Sequence, residues 1–262
     1  MDAHEIKELL TYYNLAPLKS RGQHFLINER ALNEILHVAN ITQYDTILEI
    51  GPGLGVLTKE LAALAKQVIA VEIDKGFAKV LKRRFHDKPN VAIVHGDILE
   101  VDPKNYSLQT TSYKLVGNLP YNLTSLILEK FLRQEPKKPA QLIITIQKEF
   151  ALRVTAHPPN MNRMGLLCQY YGTPRIVARF PPSYFWPKPK VHSSLVLIDV
   201  TPPKALPLKA NDEERLWASI KTAFSQPRKM LKNSLSLISG GFGKKRPQEL
   251  TLENWITLVR ST

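Results

Sequence analysis

The chain has 262 residues, of which 44% are apolar and 23% charged, ordinary usage for a folded globular protein, so wholesale disorder is excluded. Thirty-six Lys and Arg against 23 Asp and Glu leave a net charge of +13, which points to a polyanionic partner: nucleic acid or an acidic membrane surface. The one cysteine, Cys168, excludes an internal disulfide, a cysteine-cluster zinc site and a CxxC redox pair.

No run of 18 apolar residues predicts a membrane span. The opening residues, Met1 to Glu8, have neither the basic and apolar regions of a signal peptide nor the Arg/Ser richness of a transit peptide, so a cytoplasmic protein is expected. From Thr46 to Gln147 two patterns alternate. Short β-branched runs at 47–50, 68–71, 91–94, 115–116 and 142–146 suit buried parallel strands. Between them, Leu57 to Ala65, Gly76 to Phe85 and Ser125 to Leu132 carry apolar residues at helical spacing. Strand–helix alternation at this spacing predicts βαβ units in an α/β, doubly wound sheet. Beyond Phe180 the texture changes. A stiff Pro-rich loop holds Pro181, Pro182, Pro187 and Pro189, and residues 194–200 predict a further strand. Residues 201–207, with three prolines, read as a linker. Helical signals follow at Leu216 to Phe224, Lys229 to Ile238 and Leu252 to Val259. A domain over 1–205 and a small basic helical domain over 206–262 are expected. The tail block holds 10 basic and 5 acidic residues, against 26 and 18 in the first 205, so it carries the higher positive charge density.

The chemistry-bearing residues fall at strand ends. Glu49-Ile50-Gly51-Pro52-Gly53-Leu54-Gly55 follows one strand and opens a helix, and its glycines allow a tight turn and close approach of a ligand to the main chain. The pattern is G-x-G-x-G rather than the G-x-G-x-x-G of dinucleotide sites, which argues against a pyrophosphate cradle. Glu72 lies 21 residues after Gly51, at the end of the next run, where a carboxylate can accept from both hydroxyls of a ribose. Asp97 ends the third run, where it can accept from an adenine amino group. Glycine loop, ribose carboxylate and adenine carboxylate at successive strand ends describe a nucleoside site. At the next strand tip stands Gly117-Asn118-Leu119-Pro120-Tyr121-Asn122. Asn118 offers an amide carbonyl, Pro120 biases Leu119 to an extended shape that turns its carbonyl outward, and Tyr121 offers a flat face. Two acceptors and one aromatic plane fit the amino group of a flipped base.

Asn118-Leu119-Pro120-Tyr121 resembles the N-L-P-Y signature of adenine methyltransferases acting on rRNA. Together with Gly22-Gln23-His24-Phe25-Leu26, Glu49-x-Gly51-x-Gly53-x-Gly55 and Phe185-x-Pro187-x-Pro189-x-Val191-x-Ser193, it makes the chain similar to the KsgA/RsmA family, from about Lys19 to about Leu235. The resemblance implies a Rossmann-like, class I S-adenosylmethionine-dependent methyltransferase fold. It implies dimethylation of two adjacent adenines in the 3′-terminal hairpin of 16S rRNA, within a pre-30S particle. Gln23, His24 and Leu26 would close over the methionine part of S-adenosylmethionine. Gly51 and Gly53 would approach it through the backbone, Glu72 and Ile73 would hold the ribose side, and Asp97 and Ile98 the adenine. Asn118 and the Leu119 carbonyl would hold the target amine, while Tyr121 and Phe185 would stack on the target base, the prolines around Phe185 presenting it.

The chain departs from the family's pattern at His24, where bacterial members usually have Asn, and at Pro227 in Ser225-Gln226-Pro227-Arg228-Lys229, where two basic residues usually precede the Lys. Arg21, Lys188, Lys190, Arg228, Lys229 and Lys232 are candidate phosphate contacts. No metal, nucleophilic cysteine or general base is called for, Cys168 reads as core, Trp186 as packing, and the protein as a monomer. An Erm-type large-subunit rRNA methyltransferase and a non-catalytic RNA-binding assembly factor are the alternatives. The tail from Ala223 to Leu235 favours the small-subunit enzymes, and the complete cofactor and N-L-P-Y motifs speak against an assembly factor.

Overall fold

A computed structural model describes residues 1–17, 22–106, 108, 112–201, 208–235 and 241–260. In chain order the elements are α1 (Ala3–Tyr12), β1 (Phe25–Leu26), α2 (Glu29–Ala39), β2 (Thr46–Ile50), α3 (Val56–Leu64), β3 (Gln67–Glu72), α4 (Lys75–Arg84), β4 (Val91–His95), β5 (Tyr113–Asn118), α5 (Thr124–Glu129), β6 (Gln141–Gln147), α6 (Lys148–Val154), α7 (Arg163–Tyr171), β7 (Thr173–Phe180), β8 (Phe185–Trp186), β9 (Ser193–Asp199), α8 (Ala210–Ser225) and α9 (Leu252–Arg260). All six strands expected from the apolar runs are present. The chain divides into two compact units, Met1–Ala151 with Arg175–Val200, and Leu152–Pro174 with Thr201–Thr262.

The first unit is built on a seven-stranded sheet of order β4-β3-β2-β5-β6-β9-β7. β2 pairs in parallel with β3 and β5, β3 with β4, and β5 with β6, whereas β9 runs antiparallel to β6. The central strands read as nearly continuous apolar runs because both faces are covered, and all five residues of β2 are buried. The helices start where short polar side chains cap free N–H groups. Asp2 and Glu5 form a capping box on α1, Asn28 caps α2 and Asp74 caps α4. After β4 the chain returns past β2 and β3 to lay β5 on the other side of β2. The carboxyl ends of β2 and β5 therefore flank the point where the winding reverses, the place in an open α/β sheet where a ligand crevice forms.

The second unit corrects the expected boundary at 205/206. Residues 152–174 belong with the C-terminal residues, because α7 is apolar on nearly every face and needs cover on all of them: seven of its nine residues are buried. Within that unit Trp217 of α8 stacks on Tyr171 and meets Tyr170 edge-on, and the Tyr171 hydroxyl donates to Glu213. Cys168 is fully buried there, as expected of a core residue. A second correction concerns 229–238. Its described part is a single 3₁₀ turn, Leu231–Asn233, because the Leu231 N–H is donated to the Lys245 carbonyl instead of to a preceding helical turn. The expected linker lies mostly outside the described residues, as do residues 236–240 and Arg21.

Candidate active site

A cavity opens at the carboxyl ends of β2, β3 and β5, entirely within the first unit. It is lined by nine of the residues singled out in the sequence: Gln23, His24, Leu26, Gly51, Gly53, Glu72, Ile73, Asn118 and Phe185. Asp97, Ile98, Leu119 and Tyr121 do not line it. Asp97 follows the end of β4 and accepts from the Leu99 N–H at 2.9 Å, while Ile98 is buried beside it. Leu119 is buried, with its N–H donated to the Thr145 carbonyl at 3.0 Å.

The glycine loop and Glu72 are built as one piece. Gly51 has φ +67°, a left-handed conformation that favours glycine, and its N–H is donated to the Val71 carbonyl at 3.0 Å. The buried Glu72 carboxylate accepts from Gly53 N–H at 3.0 Å on one oxygen and from Asp74 N–H at 2.9 Å on the other. These two bonds fix the orientation of the carboxylate at the tip of β3. The Arg84 guanidinium donates to the Leu54 carbonyl and holds the far end of the loop. Sequence reasoning assigned Arg84 no role, since nothing local to it signals a contact 30 residues away.

The N-L-P-Y corner rests on an unusually close strand contact. A Cβ on Gly117 would lie 2.5 Å from the Ile50 carbonyl oxygen, a backbone atom that cannot move aside. Glycine here lets β5 approach β2 and sets the next residue, Asn118, on the cavity wall. The Asn118 amide nitrogen donates to the His24 carbonyl at 2.8 Å. That bond fixes the amide's orientation and leaves Oδ1 as the acceptor the side chain has to offer. His24 is held in turn: its Nδ1 donates to the Pro187 carbonyl at 2.6 Å, and its ring stacks on Tyr121 with centroids 5.9 Å apart. The carbonyl can only accept, so the proton sits on Nδ1.

Phe185 differs from the expectation that its flanking prolines present it. It is 2% exposed and pairs with Leu26 in a two-stranded β1–β8 ribbon, because its ring completes an apolar cluster with Ile35, Val116 and Leu195. Tyr121 is half-buried, and its hydroxyl shares a 3.1 Å hydrogen bond with Ser193. Burial raises the Tyr121 pKa, and the Ser193 bond opposes the shift. Trp186 packs on a small apolar cluster with Ile6, Phe25 and Leu54, as expected. The basic candidates Lys188, Lys190, Arg228, Lys229 and Lys232 are all exposed. Pro227 sits at the second position of a turn closed by the Lys229 N–H on the Gln226 carbonyl at 2.9 Å, a place that proline favours. This departure from the family pattern therefore supports the turn that carries Arg228 and Lys229.

Residues 18–260 match the family described as ribosomal RNA adenine dimethylase. The chain belongs to this family. A ribosomal RNA small subunit methyltransferase A from Dehalococcoides mccartyi is 38% identical over 250 residues, covering 95% of this chain and 84% of that protein. The fold of the 23S rRNA methyltransferase ErmE is similar, with a TM-score of 0.73 and 25% identity over 90% of this chain and 98% of that one. A dimethyladenosine transferase from Plasmodium falciparum shares the fold with a TM-score of 0.76 and 24% identity, over 91% and 97% of the two chains. The α/β sheet with its helical C-terminal part is thus the fold of the rRNA adenine dimethylases. No helix among the described residues is long and apolar enough to cross a membrane.

Proposed function

We propose that this family member transfers methyl groups from S-adenosylmethionine to the exocyclic N6 amines of two adjacent adenines in the 3′-terminal hairpin of small-subunit (16S) rRNA, during assembly of the 30S particle in the cytoplasm. The chain acts as a monomer. The observation that carries this reading is the Asn118 amide, locked by His24 so that a neutral acceptor stands in the same cavity as the glycine loop and Glu72. The relationship to small-subunit methyltransferases at 38% identity, against 25% to ErmE, favours the small-subunit substrate.

The residues present fit S-adenosylmethionine. The cavity has a carboxylate at the β3 tip oriented by backbone N–H groups, a glycine turn open to close approach, and, among the described residues that line it, no Lys or Arg to serve a pyrophosphate. When bound, the cofactor supplies a methyl group activated on a sulfonium. In this reading Glu72 and Ile73 hold the ribose side, and Asp97 and Ile98 form the adenine side. Gly51 and Gly53 approach through the backbone, and Gln23, His24 and Leu26 cover the methionine end.

The adenine amine is a weak nucleophile because its lone pair is delocalised into the ring. Asn118 Oδ1 and the Leu119 carbonyl, accepting its two hydrogens, favour a tetrahedral nitrogen with a localised lone pair. The protein's part is position and electrostatics, and no protein nucleophile is needed. Tyr121 serves the flipped base, whereas the buried Phe185 backs the cavity wall. The Tyr121 ring is engaged with His24, so base entry displaces that contact, and stacking worth about 1–3 kcal/mol per base offsets the cost. The first unit carries the transfer. Lys188 and Lys190 on it, and Arg228, Lys229 and Lys232 on the second, contact phosphates and orient the RNA without reading sequence.

The test is methyl transfer from labelled S-adenosylmethionine to small-subunit particles lacking the modification, with large-subunit rRNA in parallel and nucleoside analysis of both. Dimethyladenosine in the small-subunit hairpin is expected. Label in large-subunit rRNA instead would overturn the substrate, and no label in either would overturn the activity.

A further inference from the structure

Among the described residues that line the cavity, one buried side-chain atom makes no hydrogen bond. Glu49, the residue two before Gly51, is 1% exposed and lines the cavity, yet its Oε2 makes no hydrogen bond. Its neighbour Thr58, on α3, is fully buried and its hydroxyl is likewise unpartnered. Glu72 does not share this condition, since both its oxygens accept backbone N–H groups. Among the described lining residues the other titratable side chains are Glu72 from β3 and His24 from the segment before β1, and none is Lys or Arg. Among the described residues no cation lines the cavity beside this buried carboxyl, and the adjacent Thr58 hydroxyl does not reach hydrogen-bond geometry with it, so it is held as the neutral acid, because a carboxylate there would be desolvated and would face the Glu72 charge.

We infer that Glu49 is a proton-linked positioning residue: neutral in the free protein, it gives up its proton to solvent when a cationic ligand fills the cavity, and takes one back when that ligand leaves. The inference rests on the cofactor reading above, since S-adenosylmethionine brings a sulfonium and an ammonium into a cavity walled by two carboxyl groups. Burial above all holds the Glu49 pKa up at about 8, against the adjacent Thr58 hydroxyl and with a smaller contribution from the Glu72 charge. An opposite charge within about 4–6 Å lowers a carboxyl pKa by about 1–3, enough to carry this group across neutrality. The ionised Glu49 then holds the positive ligand in the place the glycine loop defines. The arrangement also explains an acidic floor in a protein of net charge +13: the charge there is matched to the small ligand, not to RNA.

The test is calorimetric titration of the full-length protein with S-adenosylmethionine at pH 7, in two buffers of different ionisation enthalpy, for wild type and Glu49→Gln. Wild type is expected to release roughly 0.8 proton more per ligand than E49Q, and its affinity, relative to E49Q, to rise by tenfold or more, on the order of the linkage limit, from about pH 6 to 8. Glutamine mimics the neutral acid, so the variant retains the free-state packing. Equal proton release by the two proteins would overturn the inference. Infrared difference spectroscopy on wild type gives a reading that does not depend on the variant. The C=O stretch of a neutral carboxylic acid should be present in the free protein and lost on adding ligand, and its absence in the free protein would also overturn the inference. Failure of wild type to bind S-adenosylmethionine at all would instead remove the cofactor reading, and this inference with it.

Discussion

The two halves of the candidate site are built on different principles. In the glycine-loop half, backbone groups do the positioning. Gly53 and Asp74 N–H groups orient Glu72, the Gly51 N–H is tied to β3, and Arg84 holds Leu54. In the N-L-P-Y half, side chains reach across to distant segments, onto backbone carbonyls and onto one another. Asn118 bonds His24, His24 bonds Pro187 and stacks on Tyr121, and Tyr121 bonds Ser193. Backbone-held groups are preorganised and cost nothing to rearrange when a ligand arrives. Side-chain partnerships can be exchanged for a substrate at the cost of a hydrogen bond or a ring contact each. A small ligand held throughout a reaction suits the first half, and a base that must enter and leave suits the second.

The largest effect should come where the two halves share a backbone contact. Gly117→Ala forces a methyl group to 2.5 Å from the Ile50 carbonyl oxygen, and a loss of more than about 3 kcal/mol is expected. Urea unfolding checks it, and near-wild-type stability would mean that β2 and β5 can separate. Next is Asn118→Ala, which removes the locked acceptor. Methyl transfer should fall by about 100-fold or more, with RNA affinity unchanged, in single-turnover assays. Loss of RNA binding instead would make Asn118 a docking residue.

The third effect belongs to the buried carboxyl. The Glu49 pKa is raised in the folded protein from 4.5 to about 8, so its stabilising contribution is complete below about 4.5 and is lost as pH rises toward 8. Ligand-free wild type should lose at most about 1.4 kcal/mol per pH unit across that window, and Glu49→Gln should remove this slope. Unfolding midpoints of the two proteins between about pH 5 and 8 decide it, and parallel profiles would show that Glu49 is ionised throughout. The smallest effect is Tyr121→Phe, which keeps the ring and deletes the Ser193 bond. A stability loss of about 1 kcal/mol is expected, with methyl transfer retained to within a fewfold. A much larger loss of transfer would assign the hydroxyl a direct part in the chemistry.

Much of the frame was legible because its signals are local. The apolar runs mark β2, β3, β5 and β6 by burial on both faces and the partly buried edge strand β4 by its apolar composition, and Glu72 follows Gly51 at a spacing that one βαβ unit sets. Strand β7 went unread because its burial is partial and irregular, so it carries neither an apolar run nor a clean alternation. Helices α1 and α2 went unread although their capping residues Asp2 and Asn28 stand in the sequence. The burial of Phe185 went against the prolines around it. Proline stiffness constrains a loop's shape, whereas which way a ring faces depends on what apolar surface lies beside it, here Val116 and Leu195 from other strands.

By itself the sequence determined the α/β class, the strand-end order of Gly51, Glu72, Asp97 and Asn118, and the family, because each depends on residue type and spacing along the chain. Only the tertiary structure decided that residues 152–174 join the C-terminal unit, that Phe185 is covered, that the Asn118 amide is locked by His24, and that Glu49 is left without a partner. Those outcomes depend on which distant surfaces meet, and the free energy of covering an apolar ring or leaving a carboxyl unpaired is set by neighbours that the local sequence does not name.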